Sequence, residues 1–216
     1  MSLDKYSDIL DKFTPISEGQ LSTVRLILKY VEKQNEDPSG MAPWLLAYRP
    51  ARQCITTIRD TLLDATGIVP RVPLERIKLE ADDRHSFDLL ILADSPAYVA
   101  YPPRQAMNAS EFVGSGWRGL DLIEGLWLIL TYPAVIKERA LDLVGTVYSI
   151  ECTPCIYQWN GERFLSAIAP DSRDQMCRPV FVRKTIRINM NMLDRPDKMV
   201  ARLESLAHSD FRTPMF

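Results

Sequence analysis

The chain has 216 residues, of which 46% are hydrophobic and 25% charged, the make-up of an ordinary globular protein and not of a disordered chain. At 24.7 kDa it is long enough for one well-stabilised domain with a sizeable core. Its formal charge of −2 gives no general attraction to nucleic acid or anionic lipid, so any such binding needs a local patch.

The opening residues, Met1-Ser2-Leu3-Asp4-Lys5, lack the apolar core of a secretory signal, and the acidic residues near the start argue against a transit peptide. A cytoplasmic chain is expected. Cys54, Cys152, Cys155 and Cys177 are too few and too scattered for a disulfide framework, so they read as thiols.

Leu3, Tyr6, Ile9, Leu10 and Phe13 recur at helical spacing up to Thr14-Pro15. A second helix comes next, with Ser17 and Gln20 in the positions of a capping box and Leu21, Val24, Ile27, Leu28 and Val31 as its apolar stripe. The two predict a helical hairpin over residues 1–40, closed by the polar run Lys33 to Gly40. Trp44 to Tyr48, bracketed by Pro43 and Pro50, predicts a buried strand. Ile55, Ile58, Leu62 and Ala65 mark one face of a helix from about Ala51 to Ala65, with Gly67 where a left-handed residue is wanted. Leu74 to Glu80 alternates as a strand would. Phe87 to Leu92 and Ala97 to Tyr101, joined through Asp94-Ser95-Pro96, predict a hairpin, and Arg104 to Phe112 a short helix.

Asp121 with Glu124 fits a capping box in which one carboxylate accepts first-turn amide hydrogens and the other reaches back. From Leu122 to Leu130 almost no polar face remains, the pattern of a helix surrounded by protein. With Pro133 near its end it has roughly half of the ~20 apolar residues that a membrane span needs. Pro133 should also reorient the chain, making Ala134 to Leu143 a second helix stopped by Gly145, with Val147 and Ile150 opening a strand. Asn160-Gly161 then predicts a type I′ turn. That turn sets Trp159 opposite Glu162, Tyr157 opposite Phe164 and Ile156 opposite Leu165.

The succession Glu124-Gly125-Leu126 in an apolar helix, Tyr132-Pro133, a strand, Thr153-Pro154 and the aromatic Asn-Gly hairpin resembles the second half of a family of uncharacterised bacterial proteins. The likeness covers roughly Ser86 to Pro170. The chain departs from it at Ser166 and Ala167, where the family tends to have a tryptophan and small residues. The resemblance implies a fold and no activity.

After a polar connector from Pro170 to Pro179, Val180 to Leu193 alternates. Val180, Val182, Ile186, Ile188, Met190 and Met192 form one face; Phe181, Arg183, Thr185, Arg187, Asn189 and Asn191 form the other, and Lys184 breaks the apolar side. This predicts one long strand at a sheet edge. Asp194 should cap a last helix, and residues 209–216 read as a tail. The architecture predicted is α+β, a single domain over residues 1–208 with a mainly antiparallel sheet and helices packed on it.

The candidate chemistry is sparse. Cys152-Thr153-Pro154-Cys155 has the spacing of a thiol redox pair, yet the residues after Cys155 alternate as a strand and supply no helix N-terminus to activate a thiol. A zinc site would have to add Cys177 with Cys54 or His208 and lacks a second close pair, so no metal and no cofactor is expected. His85 and His208 have no catalytic flank, and Gly114-Ser115-Gly116 is not a phosphate loop. Trp44, Trp117, Trp127 and Trp159 read as core or interface anchors. The polar face of Arg183 and Arg187, with Arg163 and Trp159 from the hairpin, is the one patch fit to bind an anion or a nucleic acid. In the absence of a catalytic signature the leading expectation is a non-catalytic protein acting through contacts with itself or another protein. Anionic-ligand or nucleic-acid binding comes second and a thiol enzyme third.

Overall fold

The computed structural model describes residues 3–13, 16–35, 44–93, 118–137, 140–149, 152–168 and 177–208, and over these the chain is α+β. Helix α1 spans Leu3–Leu10 and α2 spans Glu18–Asn35. The capping box forms as expected: Gln20 N donates to Ser17 Oγ at 3.2 Å and Ser17 N to Gln20 Oε1 at 3.1 Å. Strand β1, Trp44–Arg49, pairs antiparallel with β3, Ser86–Ala93. Its outer edge is closed by side chains. Tyr6 Oη donates to the Leu46 carbonyl and Trp127 Nε1 to that of Tyr48, each at 3.0 Å. Asn35 bonds both the N–H and the carbonyl of Trp44. Backbone groups that would otherwise template another strand are thereby satisfied.

A 3-10 turn at Arg52–Cys54 leads into α3, Ile55–Thr66, which ends at Gly67 with φ 66° as expected. Strand β2, Ile68–Pro70, comes directly after it. Farther on, β4 is Arg118–Gly119, and the capping box of Asp121 and Glu124 opens α4, Leu122–Thr131. All ten residues of α4 are buried, with Leu126 and Trp127 at 0% exposure, as its apolar run predicts. No helix among the described residues is long and apolar enough to cross a membrane.

The remaining strands are β5, Ala140–Asp142, β6, Thr153–Trp159, β7, Glu162–Ile168, β8, Cys177–Pro179, and β9, Phe181–Asn189. Two further helices come after β9: α5, Met190–Leu193, and α6, Pro196–His208. The β6–β7 hairpin has the predicted register at all three pairs, with Asn160 at φ 49° and Gly161 at φ 84° in its turn. The Tyr157 and Phe164 rings lie 5.5 Å apart.

Where one sheet was expected there are two, in the orders β1-β3-β9-β4 and β2-β7-β6-β5-β8. The chain passes from the second to the first at Val180, between β8 and β9, and the Val180 carbonyl accepts from Leu120 N at 2.9 Å. Two glycines let the backbones cross beside this corner. A Cβ on Gly119 would stand 2.5 Å from the Gly145 nitrogen. One apolar cluster runs from Tyr6 through both sheets to Leu203, so the sheets share a core.

Several expectations fail, each to a tertiary pairing. Ala134 to Leu143 is a 3-10 turn at Pro133–Ile136 and then β5, because Leu141 and Asp142 pair with Ile156 and Cys155 of β6. Gly145 is therefore a crossing point and not a helix stop. Val147 makes only an isolated bridge to Lys78, and Ile150 lies outside the described residues. Leu74–Arg76 is a 3-10 turn and not the start of a strand. The long strand from Val180 stops at Asn189, whose side chain accepts from Met192 N and starts α5; Asp194 sits at that helix's C-terminus and does not cap α6. At the edge, β4 covers only Phe181 and Val182 of β9. The predicted strand at 97–101, the helix at 104–112, the glycine loop before Trp117 and the tail at 209–216 lie outside the described residues. Both flanks of β3 are taken by β1 and β9.

Candidate functional site

Residues directly opposite on neighbouring strands share a sheet face. The register therefore sets Ala47, Asp88 and Arg187 in one row and Leu45, Leu90 and Thr185 in the next, with Arg49 beside them opposite Ser86. A β-bulge adds Arg118 to this face. Ile91 pairs with Lys184 and Leu92 with Val182, so Arg183 is an extra residue in β9. That residue brings Val182 and its partner Arg118 onto the face of Thr185, where unbroken alternation would set them on the other side. The expected grouping of Val182 with Ile186 and Ile188 is corrected accordingly.

On this face the N-terminus of α4 meets the sheet. Arg49 is the hub: its Nε donates to Asp88 Oδ2 at 2.8 Å, and its Nη2 donates to Glu124 Oε1 at 2.7 Å and to Asp121 Oδ2. Arg118 grips Glu124 with both arms, Nη1 to Oε2 at 2.8 Å and Nη2 to Oε1 at 2.6 Å. Its Nε and Nη2 also donate to Thr185 Oγ1. Arg187 reaches Asp82 Oδ2 at 2.9 Å and Asp88 Oδ1 at 3.4 Å. The two carboxylates that cap α4 thus also anchor arginines, and their charge suits the positive end of the helix dipole.

Burial pushes the Asp121 carboxyl up to about 6; the nearby charge of Glu124 adds to this and Arg49 only partly opposes it. Burial acts on Glu124 in the same sense, but hydrogen bonding from Arg118 and the charges of Arg49 and Arg118 outweigh it and hold that carboxyl below the usual range. Burial works against the charge on Arg49, and its three acidic partners more than compensate.

Arg49, Asp88, Arg118, Thr185 and Arg187 line a cleft of about 400 Å³, with Arg52, Glu80, Asp82 and Asp83 at its mouth. Removing one partner from such a buried ion cluster is costly, while apolar replacements of the whole are often neutral, so the cluster is poorly explained by stability alone. Arg49 bonds through Nε and Nη2 only. Its Nη1 takes no partner among the described residues, and the residue lines the cleft. Arg187 likewise has Nη2 spare, on a side chain 51% exposed. Thr185 Oγ1 accepts twice from Arg118, which leaves its own hydrogen free to donate elsewhere.

Of the residues singled out in the sequence, Arg187 lines this cleft. The Arg183 side chain lies outside those described, although its backbone makes the bulge. Arg163 and Trp159 belong to the other sheet: Arg163 Nη1 donates to the Thr66 carbonyl at 2.7 Å, and Trp159 is 67% exposed at the hairpin tip. Neither lines the cleft. Cys155 is buried in β6 and Cys152 is half-buried just before it, both as thiols. No group of three or more His, Cys, Asp or Glu among the described residues could hold a metal. His85 Nδ1 lies 2.7 Å from Tyr48 Oη on the other face of the first sheet, and the His208 side chain is outside those described. Sequence reasoning missed Arg49, Asp88 and Arg118. Asp88 carried a signal, since an acid inside the apolar run Phe87 to Leu92 must find a cation when that strand is buried.

No family model, no curated protein and no solved structure matches this chain, so the site is read from its own geometry.

Proposed function

We propose that this chain is a binding module for a ligand with an oxyanion, held in the cleft by Arg49, Arg187 and Thr185. The observation that carries the reading is the set of spare donors: guanidiniums fixed by buried acids, each with an arm left over for the cleft. Such pre-oriented charged donors suit the oxygens of a carboxylate or phosphate, and their ordering cost is met on folding. The anion patch so proposed is centred on Arg49, Arg187 and Thr185, and of the expected pair Arg183 and Arg187 it keeps Arg187. The free thiols Cys54, Cys152 and Cys155 are compatible with a cytoplasmic setting. Calorimetric titration with inorganic phosphate and with acetate tests the proposal. Arg187→Ala, which leaves Asp88 paired to Arg49, should weaken binding roughly tenfold or more. Unchanged affinity in that variant would remove the reading.

A second reading, action through protein contacts, is supported by Trp159 at 67% and Val69 at 49% exposure. Trp159 shares its sheet face with Tyr157 and Phe164, and Val69 lies opposite Phe164. Aromatic anchors of this kind dominate interfaces. Light scattering on the native chain and on Trp159→Ala tests it, and identical particle size in both would count against it. Strand β9 is bonded along one edge to β3, while on its other edge β4 covers only Phe181 and Val182 among the described residues, so pairing through the long strand also belongs to this reading.

A further inference from the structure

We infer that the ligand of the cleft is zwitterionic, carrying an ammonium group together with its oxyanion; this rests on the oxyanion reading above. Four arginines and four carboxylates line the cleft, so their formal charges cancel, and Asp121 and Glu124 stand behind them. A purely anionic ligand gains no long-range attraction from such a surface. A ligand with both charges is complementary to it, provided that each sign meets an unspent partner.

Both partners are there. On one side, the spare nitrogens of Arg49 and Arg187 and the Thr185 hydroxyl offer donors. At the mouth, Asp82 is engaged by Arg84 and Arg187, and Asp83 by Arg52. Glu80 lines the same cleft and has no ion-pair partner among the described residues. The two unspent charges therefore stand at different points of the cleft: the most buried donor is Arg49, whose side chain is 12% exposed, whereas Arg187, Thr185 and the Glu80 carboxylate are exposed. An oxyanion seated on the arginines directs an attached ammonium group outward to Glu80. The cleft's volume of about 400 Å³ suits a small molecule of this type, and the shared chemistry covers free amino acids and aminoalkyl phosphates.

The test is calorimetry on the full chain with glycine, L-alanine and phosphoethanolamine, each against its N-acetylated form, and with inorganic phosphate. The free amines should bind roughly threefold or more tightly than their N-acetyl forms, the size of a partly exposed ion pair. Glu80→Gln should abolish that preference, while Arg187→Ala weakens every probe. The carboxylate and phosphate arms identify which oxyanion is preferred. Equal or tighter binding of the N-acetyl forms, or a preference that survives Glu80→Gln, overturns the zwitterion and leaves the oxyanion reading standing. Failure of every probe to bind overturns both.

Discussion

Arg49 holds three acids in place, so its loss leaves Asp88, Asp121 and Glu124 facing one another with less compensation. Arg49→Met is predicted to cost about 3–5 kcal/mol of stability, the range for breaking a buried ion cluster from one side. Urea unfolding measures this, and a loss under about 1 kcal/mol would mean that the acids reach water instead. Asp121 gives a pH signature. Its carboxyl titrates at about 6 in the folded chain and near 4 when unfolded, so between those values the folded form holds the extra proton. The stability contributed by this group is complete below about pH 4 and is lost as pH rises through about 6. Glu124, shifted the other way, contributes above its unfolded value and loses that contribution on acidification. Asp121→Asn retains a capping oxygen and removes the proton. The variant's urea midpoint should therefore lack the decline that Asp121 gives the native chain between about pH 4 and pH 6.

Helix α4 is held against its surroundings by what its neighbours lack. A Cβ on Gly119, just before the helix, would meet the backbone of Gly145 and Val144, which cannot move aside. On Gly125, within the helix, it would meet the Leu143 side chain at 2.5 Å. Gly119→Ala should cost about 2 kcal/mol or more through forced backbone displacement. Gly125→Ala should cost less, because alanine's helix propensity returns up to about 1 kcal/mol against the crowding. Thermal unfolding of the two variants checks the order. Strand β9 shows how an insertion redirects a face: the extra residue at Arg183 is what lets Arg118 meet both Thr185 and Glu124. The sealed outer edge of β1 has a similar logic, since Tyr6, Asn35 and Trp127 take up the backbone groups that face away from β3.

Helix α2 is fastened to the two last helices, α5 and α6. Thr23 Oγ1 donates to the Leu193 carbonyl at 2.7 Å, and Tyr30 Oη to that of Leu203 at 2.8 Å. With one apolar cluster running through both sheets, the chain is predicted to unfold in a single transition. Tryptophan fluorescence and far-ultraviolet circular dichroism should give coincident urea curves; separated midpoints would show that the two sheets unfold independently. Trp159, outside this core, should be replaceable by alanine within about 0.5 kcal/mol of native stability. Any effect of that change on particle size then reports on contacts and not on folding.

Elements specified by local chemistry were legible in the amino-acid order. The capping boxes at Ser17 and Asp121, the left-handed Gly67, the fully apolar α4 and the Asn160-Gly161 turn with its register each depend on residues a few positions apart. Arg187 was legible as part of a polar strand face because strand alternation put it there. The split into two sheets, the conversion of 140–142 from helix to strand and the bulge at Arg183 were not, since each arises from pairing with a strand distant along the chain. The cleft belongs with these. It joins Arg49 to Asp88, Asp121 and Glu124 across 39, 72 and 75 positions, and a charge has no way to signal its partner over such separations until the backbone brings them together.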